Sequence, residues 1–279
     1  MHSDRQATIV SGSPQVATPT SAGVVGIPGL YRDGSILGLI YRVSPRSAQT
    51  LIGDQPFDPL LVAGKAIVLL AAFEHRDFSG GPYNEVALGV QVTLRGATPR
   101  LLGFPCRLRT LEGTALHIVN LAVTTNIALV AGIELWGFPK YLAEIDTAFR
   151  PNNVEVVLGS EIVLSHCRRF GCSIKSPPFV TYSILEGRVI RTVVECGHRI
   201  RFGGANTVQL KVSGPGPMSN SIRTLGLDAS RPACAFRSDA VTMILPLGRD
   251  IGAAADSSPR GTGNASLPGR LVMRRSPDG

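Results

Sequence analysis

The stretch that decides the reading is Thr124–Phe149, TTNIALVAGIELWGFPKYLAEIDTAF. Its first half, Thr124 to Trp136, is long for a strand and opens on Thr and Asn, residues that cap helix N-termini. Ile127, Val130, Ala131 and Glu134 recur on one helical face, and Leu129, Ile133 and Trp136 on another. Gly137 and Pro139 end the helix. The chain then turns into a strand, Leu142 to Phe149, with Lys140 at the corner among Trp136, Phe138, Tyr141 and Leu142. That lysine stands out by composition. The chain has four lysines (Lys65, Lys140, Lys175 and Lys211) among 28 basic residues, the rest being arginine. Arginine keeps its proton in a protein, whereas a desolvated lysine can give its proton up. A neutral amine is a nucleophile that forms imines with ketones. Taken alone, the pentapeptide also fits a lysine on a surface turn.

Outward from this helix, most segments read as strands. Ile36–Val43, Lys65–Glu74, Val86–Leu94, Ala115–Val123, Val154–Leu158, Phe179–Leu185, Val189–Glu195, Thr207–Val212 and Val241–Leu245 are short and rich in β-branched and aliphatic residues. Gly, Pro, Asn and Asp punctuate them at the spacing of a sandwich or barrel, and Glu186-Gly187-Arg188 reads as a hairpin turn. Sheets that bury so many apolar positions close on themselves or pack to hide their edges. The pattern predicts one mainly antiparallel β domain with few helices over residues 26–250. Residues 1–25 and 251–279, rich in Ser, Thr, Gly, Pro and Ala, read as mobile tails.

With 279 residues, 44% of them apolar and 17% charged, the chain can bury a sizeable core. Its longest apolar run, Ala66–Phe73, is too short to span a bilayer, and no signal pattern opens the sequence. A soluble, cytoplasmic protein without a membrane partner is expected. The formal charge of +8 raises nucleic acid as a partner, but the arginines are scattered and no basic stripe forms, so no nucleic-acid role is expected. Five cysteines, at 106, 167, 172, 196 and 234, read as free thiols. His166, Cys167, Cys172, Cys196 and His198 do not match the spacing of a structural zinc site, and no metal or cofactor is expected.

A second chemical feature is the loop FSGGPYNE at 78–85, whose final residue Glu85 opens the apolar strand VALGVQV. A carboxylate at the mouth of a buried strand is placed for proton transfer near neutral pH; a solvated turn residue is the plainer reading. Tyr83 and Asn84 line the pocket mouth or serve packing. Glu134, six residues before Lys140, is either a second active-site carboxylate or a helix-surface charge. His75 and Arg76, following an apolar strand, are candidates to bind a substrate carboxylate. His117 reads as a core or strand residue, and Gly214-Pro215-Gly216-Pro217 as a turn.

GGPYNEV at 80–86 and GIELWGFPKYLAEI at 132–145 resemble the two signature regions of the acetoacetate decarboxylase-like family, a resemblance that extends over about residues 30–248. It implies a closed, cone-like antiparallel β-barrel assembled into homo-oligomers. By the same resemblance, Lys140 is the lysine that forms a Schiff base with a small keto acid and Glu85 is the active-site acid/base. Tyr83, Trp136, Phe138 and Leu142 are then expected to wall the pocket, with Glu134 beside it.

Two positions depart from the decarboxylase pattern. The second lysine that follows the nucleophile is replaced by Tyr141, so desolvation has to free the amine. The family arginine ahead of the first strand aligns, through Ile40-Tyr41-Arg42, with Gly34, and Arg32 two residues away is the candidate to substitute. The implied activity is that of a carbon–carbon lyase, decarboxylating through a lysine iminium. An aldolase-dehydratase or cyclase using the same imine, or a binding barrel that lost the chemistry, remain alternatives.

Overall fold

Alternation along the strands builds two apolar bodies on opposite faces of one wall. Leu70 and Ala72 pack into the first body and Ala71 into the second; Val86 and Leu88 divide from Ala87 in the same way, and Ala122 from Leu121 and Val123. Strands buried on both faces need nearly continuous apolar runs. In this computed structural model, which describes residues 10, 12–97, 113–167 and 171–253, that wall is a closed barrel. Seven strands follow one another around it: Gly29–Val43, Met243–Leu245, Arg188–Cys196, Phe179–Leu185, Thr114–Val123, Tyr83–Leu94 and Lys65–Phe78, which pairs back onto Gly29–Val43. The pairings are antiparallel except at the seam between Thr114–Val123 and Phe179–Leu185, which run parallel.

A four-stranded antiparallel sheet, Ile145–Arg150, Asn153–Leu158, Ile162–His166 and Val208–Val212, packs on the first body through Val154, Val156, Leu158, Ile162 and Leu164. The described residues also hold three α-helices: α1 (Pro45–Ile52), α2 (Asn126–Trp136) and α3 (Pro217–Leu225). α1 and α3 close the first body with Ala48, Ile52, Met218, Ile222 and Leu225, and α2 covers the second with Ala128, Ala131 and Trp136. No helix among the described residues is long and apolar enough to cross a membrane.

Each strand expected from the sequence is present, several of them longer than expected. The segment Leu142–Phe149 is divided into Lys140–Leu142 and Ile145–Arg150. α2 begins one residue after Thr125, whose hydroxyl accepts from the Ala128 amide. α1 and α3 were not expected. Both open on a proline at the first turn, where a missing N–H costs nothing, and Gly214–Pro217 is the lead-in to α3 rather than a free-standing turn. Val16–Thr20 and Gly23–Ile27, which lie mostly in the expected N-terminal tail of residues 1–25, form a hairpin whose Val25 and Ile27 join the second body. Cys106, the first nine residues and residues 254–279 of the expected C-terminal tail lie outside the described residues.

α2 and α3 end alike, on glycines in the left-handed region: Gly137 at φ 65° and Gly226 at φ 68°. They differ in surroundings. A Cβ on Gly226 meets open space, while one on Gly137 would collide with the carbonyl oxygen of Ile184. An alanine in this region costs about 1 kcal/mol. Gly226→Ala should lose about that much, and Gly137→Ala several-fold more, since backbone has to move. Urea midpoints of the two variants, compared with the parent, check the difference.

Candidate active site

The site is assembled by register. On the second-body face, His75 pairs opposite Tyr83, Phe73 opposite Glu85 and Ala71 opposite Ala87. Across the next boundary Glu85 meets Val123 and Ala87 meets Leu121. The short strand Lys140–Leu142 then adds in parallel, with Lys140 beside Leu121. The lysine stem therefore starts one row from Glu85, in the row of Leu121 and Ala87. Its amine reaches Glu85 Oε2 at 3.3 Å, with side-chain exposures of 6% for Lys140 and 13% for Glu85.

α2 crosses above and leaves room for this side chain at one residue. A Cβ at Gly132 would overlap Lys140 Cδ and Cε and stand 3.1 Å from Nζ. The turn that brings the lysine back under its helix is held by the Phe138 amide donating to Gly132 O and the Lys140 amide to Phe138 O. Trp136 is buried, donates from Nε1 to Pro246 O at 2.8 Å, and stacks with Phe138. Both belong to the apolar body around the lysine.

Glu85 is held asymmetrically. The Tyr83 hydroxyl donates to Oε2 at 3.2 Å, the same oxygen that takes the lysine, while Oε1 accepts no hydrogen bond from the described residues. The Tyr31 and Tyr83 hydroxyls lie 3.2 Å apart. Since the Tyr83 proton faces Glu85, Tyr31 is the donor in that pair. Burial, followed by the Glu85 charge, raises the pKa of both phenols. Lys140 Nζ lies 5.5 Å from the centroid of the Tyr83 ring.

Several candidate residues lie elsewhere. Leu142, expected as a wall, is 52% exposed, because it sits at the open end of its strand. Arg32 is at the surface, paired with Asp77 at 3.3 Å and donating to Gln15. Glu134 faces outward on α2 and accepts from the Ser21 amide and hydroxyl; it pins the N-terminal hairpin, consistent with the helix-surface reading. Arg76 points away into a cluster with Asp33 and Glu74, whereas its neighbour His75 turns inward. Asn84 donates to Ile145 O and ties the barrel to the second sheet.

Tyr141 projects to the face opposite Lys140, as alternation requires, and packs against the first body. Burial and the Glu161 carboxylate raise its pKa. The residue after the lysine is thus out of contact with the amine whatever its charge. His166, Cys167, Cys172, Cys196 and His198 are not gathered, and no group of three or more potential ligands forms among the described residues. Clefts of about 210 and 250 Å³ elsewhere are lined by neither Lys140 nor Glu85. Sequence reasoning missed Tyr31 and Gly132. The glycine stands inside the quoted motif, but its role depends on a helix-to-strand approach that spacing does not encode.

Fold and site together define a closed β-barrel with a buried lysine–carboxylate pair on its wall. The sequence profile of the acetoacetate decarboxylase family matches residues 12–158, and the chain belongs to that family. No curated protein matches the chain. Among solved structures, it is similar to acetoacetate decarboxylase from Legionella pneumophila, at 14% identity and a TM-score of 0.61, over 87% of this chain and 92% of that one. It is also similar to the enduracididine biosynthesis enzyme MppR complexed with the condensation product of pyruvate and imidazole 4-carboxaldehyde (14%, TM-score 0.56, 81% and 90%). An acetoacetate decarboxylase-like enzyme from Sphingomonas wittichii RW1 is a third likeness (16%, TM-score 0.55, 87% and 99%).

Two expectations follow. Gly132→Ala favours the helix by up to about 1 kcal/mol yet displaces the lysine. The melting temperature should hold, while labelling of Lys140 by a small aldehyde with cyanoborohydride, read by mass spectrometry, falls at least about tenfold. The second concerns pH. Burial, then the Lys140 and Arg76 charges, lower the His75 pKa from 6.5 to about 3. Between those values the unfolded chain binds a proton that the folded chain refuses, so stability falls as pH drops from 6.5 toward 3. His75→Phe lacks this term. Its stability relative to the parent should rise steadily between pH 7 and pH 4 in urea titrations.

Proposed function

We propose that the chain is a Schiff-base-forming lyase acting on a small keto acid, with Lys140 as nucleophile and Glu85 as the proton carrier. The observation that carries this reading is the pair itself, an amine 3.3 Å from a carboxylate with both side chains almost out of water. Lys140 passes a proton to Glu85, and its free amine attacks the substrate ketone carbon. Glu85 returns a proton to the carbinolamine oxygen, which leaves as water, and an iminium remains. Oε2 is anchored by Tyr83 and the lysine, so the unpaired Oε1 is the oxygen free to pass protons to and from substrate. The bond from the neighbouring carbon to the carboxylate then breaks. Its electron pair forms the enamine, and carbon dioxide departs. Protonation at carbon and hydrolysis by water release the ketone and the amine.

A second branch parts from the first at the iminium: an α-proton leaves in place of carbon dioxide, the resulting enamine attacks an aldehyde, and water is lost. It gains support from the likeness to MppR, whose complex holds a condensation product. Tyr83, Trp136 and Phe138 wall the pocket in either branch. Assembly into a homo-oligomer and a cytoplasmic setting belong to the same proposal, and sedimentation of the purified chain measures the first.

Borohydride reduction in the presence of acetoacetate or pyruvate, with and without an aldehyde, tests the reading. A mass increment on the peptide carrying Lys140 is expected, absent in Lys140→Met. Glu85→Gln should slow capture by about 10²-fold or more, the usual scale for losing a positioned acid/base. Carbon dioxide release identifies decarboxylation, and a lengthened carbon skeleton identifies condensation. No adduct with any member of the panel would leave a binding barrel as the function.

A further inference from the structure

The cleft of about 210 Å³ is lined by Ser173, Arg199, Arg201, Ser238, Asp239 and Ala240. Register builds it. The strands Ser173–Lys175, Arg199–Gly203 and Cys234–Ser238 lie side by side, with Ser173 opposite Arg201 and Arg201 opposite Arg237. Strand alternation puts Arg237 on the side of Ala235, which packs into the first body. Lys140 and Glu85 stand on the second-body side and line no part of this cleft. What binds here is therefore independent of the imine reading.

Like charges directly across a sheet repel, and Asp239 separates this pair. Its Oδ1 accepts from Arg237 Nε at 2.6 Å and its Oδ2 from Arg201 Nη2. Arg237 is 2% exposed and also donates to Arg150 O at 2.7 Å, so it holds Asp239 in place from below. Arg199, two residues from Arg201 on the same face, has no carboxylate partner among the described residues. Its Nε and Nη2 donate to Ser173 Oγ and O at 3.1 and 2.7 Å, which fixes the guanidinium at the cleft and leaves Nη1 unused. Arg201 leaves Nε and Nη1 unused. The Ser173 hydroxyl accepts from Arg199, so its own proton is available to a ligand.

The local charge is unbalanced. Lys175 stands opposite Arg199 on the same face. Arg76 donates to Asp239 O and brings its partners Asp33 and Glu74. Lys175, Arg76, Arg199, Arg201 and Arg237 thus meet three carboxylates, Asp33, Glu74 and Asp239, an excess of two positive charges. We infer that the cleft binds a phosphate group. A phosphate carries about −1.5 to −2 at pH 7 and offers several strong acceptor oxygens, and guanidinium forks match its geometry. A single carboxylate would leave half of the excess unanswered. The cleft admits the phosphate alone or with a small ester group, so the ligand is inorganic phosphate or a small phosphate monoester.

The test follows thermal unfolding of the parent, Arg199→Gln, Arg199→Lys and Ser173→Ala against inorganic phosphate and against phenyl phosphate. Sodium chloride holds the ionic strength constant, so that screening does not vary. The melting temperature of the parent should rise with phosphate, as binding to the folded chain requires. Arg199→Gln should raise the half-saturating concentration about tenfold or more, the scale of one lost charged hydrogen bond. Arg199→Lys, which keeps the charge and loses the fork, should recover part of this, and Ser173→Ala should lose less than Arg199→Gln. Calorimetric titration of the same folded proteins reads the affinities directly, whatever a variant does to stability. Binding of phenyl phosphate at least as tight as that of inorganic phosphate identifies a monoester as the ligand; binding of inorganic phosphate alone identifies the free ion. No binding at matched ionic strength, or equal binding by the parent and Arg199→Gln, overturns the assignment.

Discussion

An amine and a carboxylate in near contact, almost sealed from water, are the constraint to which the rest of the molecule answers. Moving each ion out of water costs several kcal/mol, and mutual attraction repays this only with good geometry and further hydrogen bonds. Here one such bond comes from Tyr83 to the shared Oε2. The pair is therefore a poor device for stability. In the imine chemistry proposed above, it lets a proton cross from nitrogen to oxygen over 3.3 Å without reorganising solvent.

That geometry depends on three separate elements holding their places. The glutamate comes from a barrel strand, the lysine from a short strand added in parallel, and the space for the lysine stem from a glycine of α2. A shift of one residue in any register would turn Glu85 or Lys140 to the opposite face. The barrel resists such shifts because both faces of its wall are buried, and every slip exchanges the contents of two cores at once. Closure matters for the same reason. With Gly29–Val43 paired to Lys65–Phe78 over most of its length, the ring leaves no free edge at which a strand can slide.

Much of this was legible in the sequence. The nine strand segments and α2 follow from alternation, β-branched content and the Gly137-Pro139 stop. The pairing of Lys140 with Glu85 came from two motifs whose strands the fold brings together. What was hidden has physical causes. α1 is only eight residues long and begins on proline, too short for a periodic signal. In α3, Met218, Ile222 and Leu225 do carry the i, i+4, i+7 spacing, behind a glycine–proline run that reads as a turn. The hairpin at 16–27 is rich in small residues, Gly, Pro, Ser and Thr, and owes its order to Val25 and Ile27 reaching the second body and to Glu134 gripping Ser21. The outward aim of Arg32, Arg76 and Glu134 was beyond reach, because each is decided by partners distant along the chain.

The substitution of Tyr141 for the second lysine loses its force once strand alternation is considered. A residue adjacent to Lys140 on an extended segment must face the other side of the wall, and Tyr141 does so, against the first body. A lysine there would start on that same face, with the sheet between it and the Lys140 amine. What surrounds the Lys140 amine is therefore apolar side chains, the Tyr83 ring and Glu85. All of these come from the second-body face, and none depends on the identity of residue 141. The other departure stands: Gly34 aligns with the family's arginine, and Arg32 two residues away turns to the surface and pairs with Asp77, so neither position brings a cation to the Lys140 side chain.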